Sequence, residues 1–176
     1  MTETPNPPTL RIAVLVGNPQ PSSRTTLVAE EVAAQIADRA RAEIAPTVEL
    51  AAYSDRVFMH PEPELDALSE EIATSEVLVV ASPTYKAAYT GLLKAFLDRY
   101  DAGALDEVVA IPILTIGSPA HALAVEHTLR PVLVELGAVV PTRGIAFPAS
   151  QVDARAEVIG SWLETQWPRL RRALQP

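Results

Sequence analysis

A chain of 176 residues with 48% apolar content has the length of one domain and enough apolar side chains to build a core, which excludes a disordered polymer. Acidic residues outnumber basic ones 22 to 14, and the net charge of −8 opposes general binding to nucleic acid or to an anionic membrane. With no cysteine, disulfides, thiol nucleophiles, zinc–cysteine sites and iron–sulfur clusters are out.

Residues 1–9 are polar and proline-rich, without the basic and apolar regions of a signal peptide, and are expected to form a mobile tail. Residues 10–176 then read as a single domain. Residues 10–16 make a short β-branched strand that stops at Gly17. Leu27, Val28, Val32 and Ile36 follow at helical spacing. Residues 47–50 form a weaker second strand. Pro63 opens a helix to Ala73, with Leu65, Leu68 and Ile72 inward. Residues 77–81 are apolar throughout, as in a strand covered on both faces. Thr90 caps a helix over 91–100, and residues 108–115 form the next strand. A helix is predicted over 121–136, disturbed by Pro131. The fifth strand is residues 138–140 or 144–147, and Asp153 is predicted to cap the last helix.

Five strands alternating with helices imply βαβ units and a parallel sheet, and at this length the flavodoxin-like order 2-1-3-4-5 is the simplest doubly wound answer. Pro112 conflicts with a central fourth strand, where a ladder N–H is normally needed, so a local irregularity is expected there. No apolar run is long enough to cross a membrane, and a cytoplasmic protein is the expectation.

In such a sheet, ligands bind beyond the carboxyl ends of the strands where the strand order reverses. The loops there contain Asn18, Ser22, Ser23, Arg24, Thr25 and Thr26 after the first strand, and Pro83, Thr84, Tyr85 and Lys86 after the third. Thr115, Gly117 and Ser118 follow the fourth. Four hydroxyls and an arginine at a helix start suit a terminal phosphate. The loop has neither GxxxxGK[ST] nor GxGxxG, which leaves a phosphate monoester such as that of FMN. The plainer reading is a helix capped by Ser22 or Ser23 with exposed threonines. Tyr85 and Gly117 suit a flat aromatic ring, one by its edge or hydroxyl and the other by letting backbone approach. Equally, Lys86 reads as a solvated charge and Gly117 as an ordinary turn. His60, His121 and His127 have no metal-ligand spacing, and no hydrolase or metalloprotease motif is present.

Three stretches carry a family resemblance: Gly17-Asn-Pro with Ser23-Arg-Thr-Thr26; Ala81-Ser-Pro-Thr-Tyr-Lys-Ala-Ala-Tyr-Thr-Gly-Leu-Leu-Lys94; and Ala120-His-Ala-Leu-Ala-Val-Glu-His-Thr-Leu-Arg-Pro-Val-Leu133. The chain resembles the NAD(P)H-dependent FMN reductases, in particular the reductase components of alkanesulfonate and methanesulfonate monooxygenase systems. Where that family usually has Gly-Ser-x-Arg and Gly-Gly, this chain has Gly17-Asn-Pro-Gln20 and Ile116-Gly117. The resemblance implies hydride transfer from NADPH or NADH to FMN, with no dedicated catalytic side chain. Flavin phosphate would lie at the first loop, and the ring near Pro83 to Lys86 and Thr115 to Ser118. It further implies a flavin-dependent monooxygenase as partner and a homodimer or homotetramer built through residues 91–100 and 121–136. A π-turn at His127, beside an oligomer contact, belongs to the same resemblance. Association is also expected from the stripes Leu92/Phe96/Tyr100 and Leu123/Leu133/Leu136, which exceed what one sheet face needs. Competing expectations are an FMN-bound quinone, azo-dye or metal-ion reductase, a flavodoxin-like electron carrier, and a scaffold that has lost flavin.

Overall fold

The structure, a computed structural model, describes residues 10–175, so the predicted tail at 1–9 lies outside the described residues. Strand β1 (Arg11–Val16) leads into helix α1 (Arg24–Ala40), followed by two short strands, β2 (Glu43–Ile44) and β3 (Val48–Glu49). A 3-10 turn (Leu50–Tyr53) precedes α2 (Pro63–Ala73), β4 (Val77–Pro83), α3 (Gly91–Leu97) and β5 (Val109–Ile116). A π-helix (Val125–Leu129) runs into α4 (Arg130–Glu135), and β6 (Ile145–Pro148) and α5 (Arg155–Ala173) complete the fold.

All strands pair in parallel, in the order β2-β1-β4-β5-β6, with β3 also on β1. The architecture is flavodoxin-like, but the described residues form six strands instead of the five expected. The predicted strand at 47–50 is two pieces of one edge: Arg11 and Ile12 pair with Glu43 and Ile44, and Leu15 and Val16 pair with Val48 and Glu49. Between the two pieces the edge carries one extra residue, because Arg11 and Leu15 are four positions apart whereas their partners Glu43 and Val48 are five apart, and the pairing lapses at this bulge. Counted as one interrupted strand, β2 and β3 restore the order 2-1-3-4-5.

Pro112 produces a similar interruption. Val109 N–H donates to Glu76 on the β4 side, and Ala110 N–H to Val139 on the other side, each at 2.9 Å. Strand alternation therefore turns the missing donor of Pro112 toward β6. Pairing lapses there: Val139 forms a single bridge to Val109, and β6 begins only at Ile145, opposite Ile113. Both segments predicted for the fifth strand thus contribute, on either side of the gap.

Alternate residues of each strand feed two cores. Ala13, Leu15, Leu78, Val80, Ala110 and Leu114 pack under α2, α3 and α4, while Ile12, Val14, Val77, Val79, Ile111 and Phe147 pack under α1 and α5. Phe96 and Leu133 are fully buried in the first core, and Leu136 nearly so. The apolar stripes read as surplus therefore serve the domain's own sheet face; from those stripes only Leu123, at 65% exposure, is a large exposed hydrophobic. Three helix expectations shift. Helix α3 ends at Leu97 rather than Tyr100, because Asp98 closes it. Asp153 lies in a 3-10 turn (Ala149–Ala154), and α5 starts from Ala154 with no side-chain cap. The helix predicted over 121–136 is a 3-10 turn (Pro119–His121), then the π-helix, then α4. Arg130 N–H reaches the carbonyl of Val125, five residues back, in the turn that precedes Pro131. Among the described residues no helix is long and apolar enough to cross a membrane.

Candidate functional site at the strand-order reversal

The loops after β1, β4 and β5 converge at the carboxyl ends of their strands, where ligands bind in doubly wound sheets. Polar bonds lock them together. Gly17 N–H donates to Ala81 at 2.8 Å, and Thr84 N–H to Thr115 at 2.9 Å. Thr90 caps α3 by accepting from Leu93 N–H, and its own hydroxyl donates to the Gly17 carbonyl. Gly17 has to be glycine: an added Cβ would lie 2.4 Å from that of Leu93.

The first loop divides its hydroxyls between two jobs. Thr25 turns inward, where its Oγ1 accepts from Asn18 Nδ2 at 3.2 Å and lies 2.9 Å from Thr115 Oγ1. Asn18 Oδ1 also accepts from Gln20 N–H at 2.9 Å. Asn18, Thr25 and Thr115 are all buried, so this trio braces the loop against β5. Ser23 is the helix cap, its Oγ accepting from Thr26 N–H at 3.2 Å. Arg24 leaves the cluster: its exposed guanidinium donates to the Ala149 carbonyl at 3.3 Å. An unanticipated residue, Glu49 at the end of β3, accepts from Ser22 N–H at 2.9 Å and from the Thr26 hydroxyl. No local signal marks Glu49, since only the pairing of β3 with β1 brings it to the helix start.

In the second loop Tyr85 and Ala88 exchange backbone hydrogen bonds around a tight turn, with Lys86 and Ala87 at φ of 52° and 65°. This left-handed pair is one that glycine or asparagine normally fills, and such strain gathers at ligand clamps. Pro83 ends β4; Tyr85 and Lys86 are exposed. Thr84 Oγ1 is buried without a hydrogen-bond partner. In the third loop Ser118 Oγ accepts from Ala120 N–H, and a Cβ on Gly117 would meet nothing within 4 Å.

A profile described as NADPH-dependent FMN reductase matches residues 10–151. The chain belongs to the NADPH-dependent FMN reductase family. It is 42% identical over 90 residues to an FMN reductase (NADPH) of Escherichia coli strain K12, covering 51% of this chain and 47% of that protein. In that alignment the chain spans about half the length of the curated relative. A second relative, the NADH-dependent FMN reductase SfnE of Pseudomonas putida, is 28% identical over 155 residues, covering 83% of this chain and 81% of that one. The crystal structure of an NADH:FMN oxidoreductase (EMOB) in its apo form superposes with a TM-score of 0.81 at 30% identity, covering 93% of this chain and 90% of that one.

The loops fit the cofactor in this family's name. The N–H groups of Arg24 and Thr25 open a 17-residue helix and have no intrahelical acceptor. Beside them stand the hydroxyls of Ser22 and Ser23, which suits a phosphate monoester. The orphaned Thr84 hydroxyl and the open space at Gly117 suit a polar ring edge. His127 lies apart from these loops in sequence, exposed in the π-helix. Beside it Glu126 accepts from Gly144 N–H at 2.7 Å and pairs with Arg130. Burial acts to raise the Glu126 carboxyl, but Arg130, Gly144 N–H and Arg143 together hold it below the ordinary carboxylate value.

Proposed function

We propose that this protein is an NAD(P)H-dependent FMN reductase. The observation that carries the reading is the meeting of three loops at the reversal point, with helix-start donors at one loop and the orphaned Thr84 hydroxyl and unobstructed Gly117 at the others. When bound, FMN supplies the ring that takes a hydride from the nicotinamide, so that NAD(P)H, FMN and one proton give NAD(P)+ and reduced FMN. The chain's own task is binding and alignment. Ser22, Ser23, Arg24 and the first N–H groups of α1 hold the phosphate. Asn18, Thr25 and Thr115 act from beneath, fixing the first loop to the end of β5. Pro83, Thr84, Tyr85, Lys86, Gly117 and Ser118 border the ring. No side chain in these loops has to donate or accept a proton for hydride transfer, and none of them forms an acid–base pair.

The names of the relatives support FMN as the acceptor of the hydride; that reduced flavin is then handed to a flavin-dependent monooxygenase rests on the resemblance of the loop sequences alone. Association into a homodimer or homotetramer belongs to the same proposal, with Leu123 and Val134 on the exposed side of the π-helix and α4 segment, at 65% and 54% exposure. The test is oxidation of NADH and of NADPH by the purified protein, with and without added FMN. Oxidation that depends on FMN supports the reading; oxidation that needs a quinone or azo dye instead favours the alternative reductase, and no oxidation of either nucleotide sinks both.

A further inference from the structure

The start of α1 holds an internal anion. Glu49 closes β3 opposite Val16, the last residue of β1, which sets its side chain beside the loop that follows Val16. Its two carboxylate oxygens lie 2.9 and 3.3 Å from Ser22 N, and one of them also accepts the Thr26 hydroxyl. Ser22 adopts a left-handed φ of 51°, which no serine prefers, in the conformation that gives its N–H to Glu49. Thr26 Oγ1 further contacts Ser23 Oγ at 3.1 Å, so the carboxylate engages the network that caps the helix. The nearest cation in sequence, Arg24, points instead to the Ala149 carbonyl. A negative charge is thus fixed against the donors that would face a flavin phosphate.

We infer that Glu49 sets how weakly the flavin phosphate is held: it shapes the loop through Ser22 and Thr26 while its charge repels the incoming dianion. The inference rests on the proposed FMN site and names a residue that tunes it. The physical argument is Coulombic. Two like charges a few ångströms apart at a partly exposed site repel strongly enough to change binding by an order of magnitude, and the repulsion is screened by salt. A site built this way keeps the ring contacts and gives up part of the phosphate affinity, which suits a flavin that must depart after reduction.

The experiment compares FMN with riboflavin, which has the same ring and no phosphate, by fluorescence quenching on the full chain. In Glu49→Gln, which keeps the shape and removes the charge, FMN is expected to bind roughly tenfold tighter while riboflavin is unchanged. Glu49→Asp, which keeps the charge, is expected to hold the FMN-to-riboflavin affinity ratio near that of the native chain. Salt is expected to shift that ratio further toward FMN in the native chain than in Glu49→Gln, because screening removes the Glu49 repulsion only where the charge is present while the attraction of Arg24 is screened alike in both; Glu49→Ala is a second charge-free variant should Glu49→Gln not fold. An unchanged ratio in a folded charge-free variant, or the same salt slope in that variant and the native chain, overturns the inference and leaves Glu49 as a brace for the loop. Failure of both flavins to bind the native chain would instead overturn the proposed FMN site.

Discussion

The hydroxyls of Thr25 and Thr115 stand 2.9 Å apart although 90 positions separate them in sequence, and both side chains are buried. Through this contact the first turn of α1 is tied to the end of β5, so the loop after β1 and the loop carrying Gly117 are placed relative to each other. In Thr115→Val the Thr25 hydroxyl keeps only Asn18 as a partner. A loss of about 1 kcal/mol is expected, the range for a hydrogen bond removed from a buried pair. Urea unfolding gives the stability change, and a parallel FMN titration is expected to show weaker binding; a variant that matches the native chain in both would leave the contact without consequence.

Arg24 is the cation of the first loop, its guanidinium is exposed, and its bond to the Ala149 carbonyl is long at 3.3 Å, which leaves it available to the phosphate of the proposed function. Arg24→Ala is expected to weaken FMN by about 1.5–3 kcal/mol, the range for a hydrogen bond to a charged group. Riboflavin should be indifferent to the change. Equal losses for the two flavins would show that Arg24 acts on the loop and not on the phosphate.

Ala87 sits at a φ of 65° in the second loop, with Lys86 beside it at 52°. Glycine accepts that conformation without steric cost, so Ala87→Gly is expected to stabilise the folded state by up to about 1 kcal/mol despite the greater freedom of the unfolded chain. The midpoint of urea unfolding is the readout, and a decrease would mean that the turn is not strained.

Acid stability should carry the signature of Glu126. Its folded carboxyl is held below the ordinary value, so the native state binds its proton less readily than the unfolded chain does. The resulting stability is fully present above the unfolded pKa and is lost as the pH falls through the folded one. Glu126→Gln removes this linkage and weakens the bond to Gly144 N–H. It is expected to cost roughly 1–2 kcal/mol near neutrality and to flatten the decline of stability toward acid. Unfolding curves across the acid range compare the two slopes directly.

His127 lies in the π-helix with exposed Leu123 just before it and exposed Val134 on α4 after it. His127→Ala is expected to keep the fold while altering flavin retention or subunit association. Gel filtration with absorbance at flavin wavelengths reads both at once. For the native chain, light scattering above the monomer mass of 18.9 kDa is the expected result. A monomer at micromolar concentration would remove the association proposed for this face.

Much of this was legible in the chain itself. The apolar runs at 10–16 and 77–81, the spacing of Leu65, Leu68 and Ile72, and the cap at Thr90 are local signals that depend on strand and helix periodicity, and each marks an element that formed. The order of those elements then located the reversal point, and with it the three loops. Pro112 and Pro131 also announced their irregularities, because a missing N–H disturbs a ladder or a helix wherever it falls. The contents of the site were less legible. Four hydroxyls near Arg24 looked equivalent in sequence. Only the packed sheet turned Thr25 inward to Thr115, sent Arg24 to Ala149 and brought Glu49 to Ser22 and Thr26. The stripes that looked surplus closed over the domain's own sheet for the same reason. Periodicity records which way a residue faces on its own element, whereas a hydrogen-bond partner 23 or 90 positions away is chosen by strand register, which no local window contains.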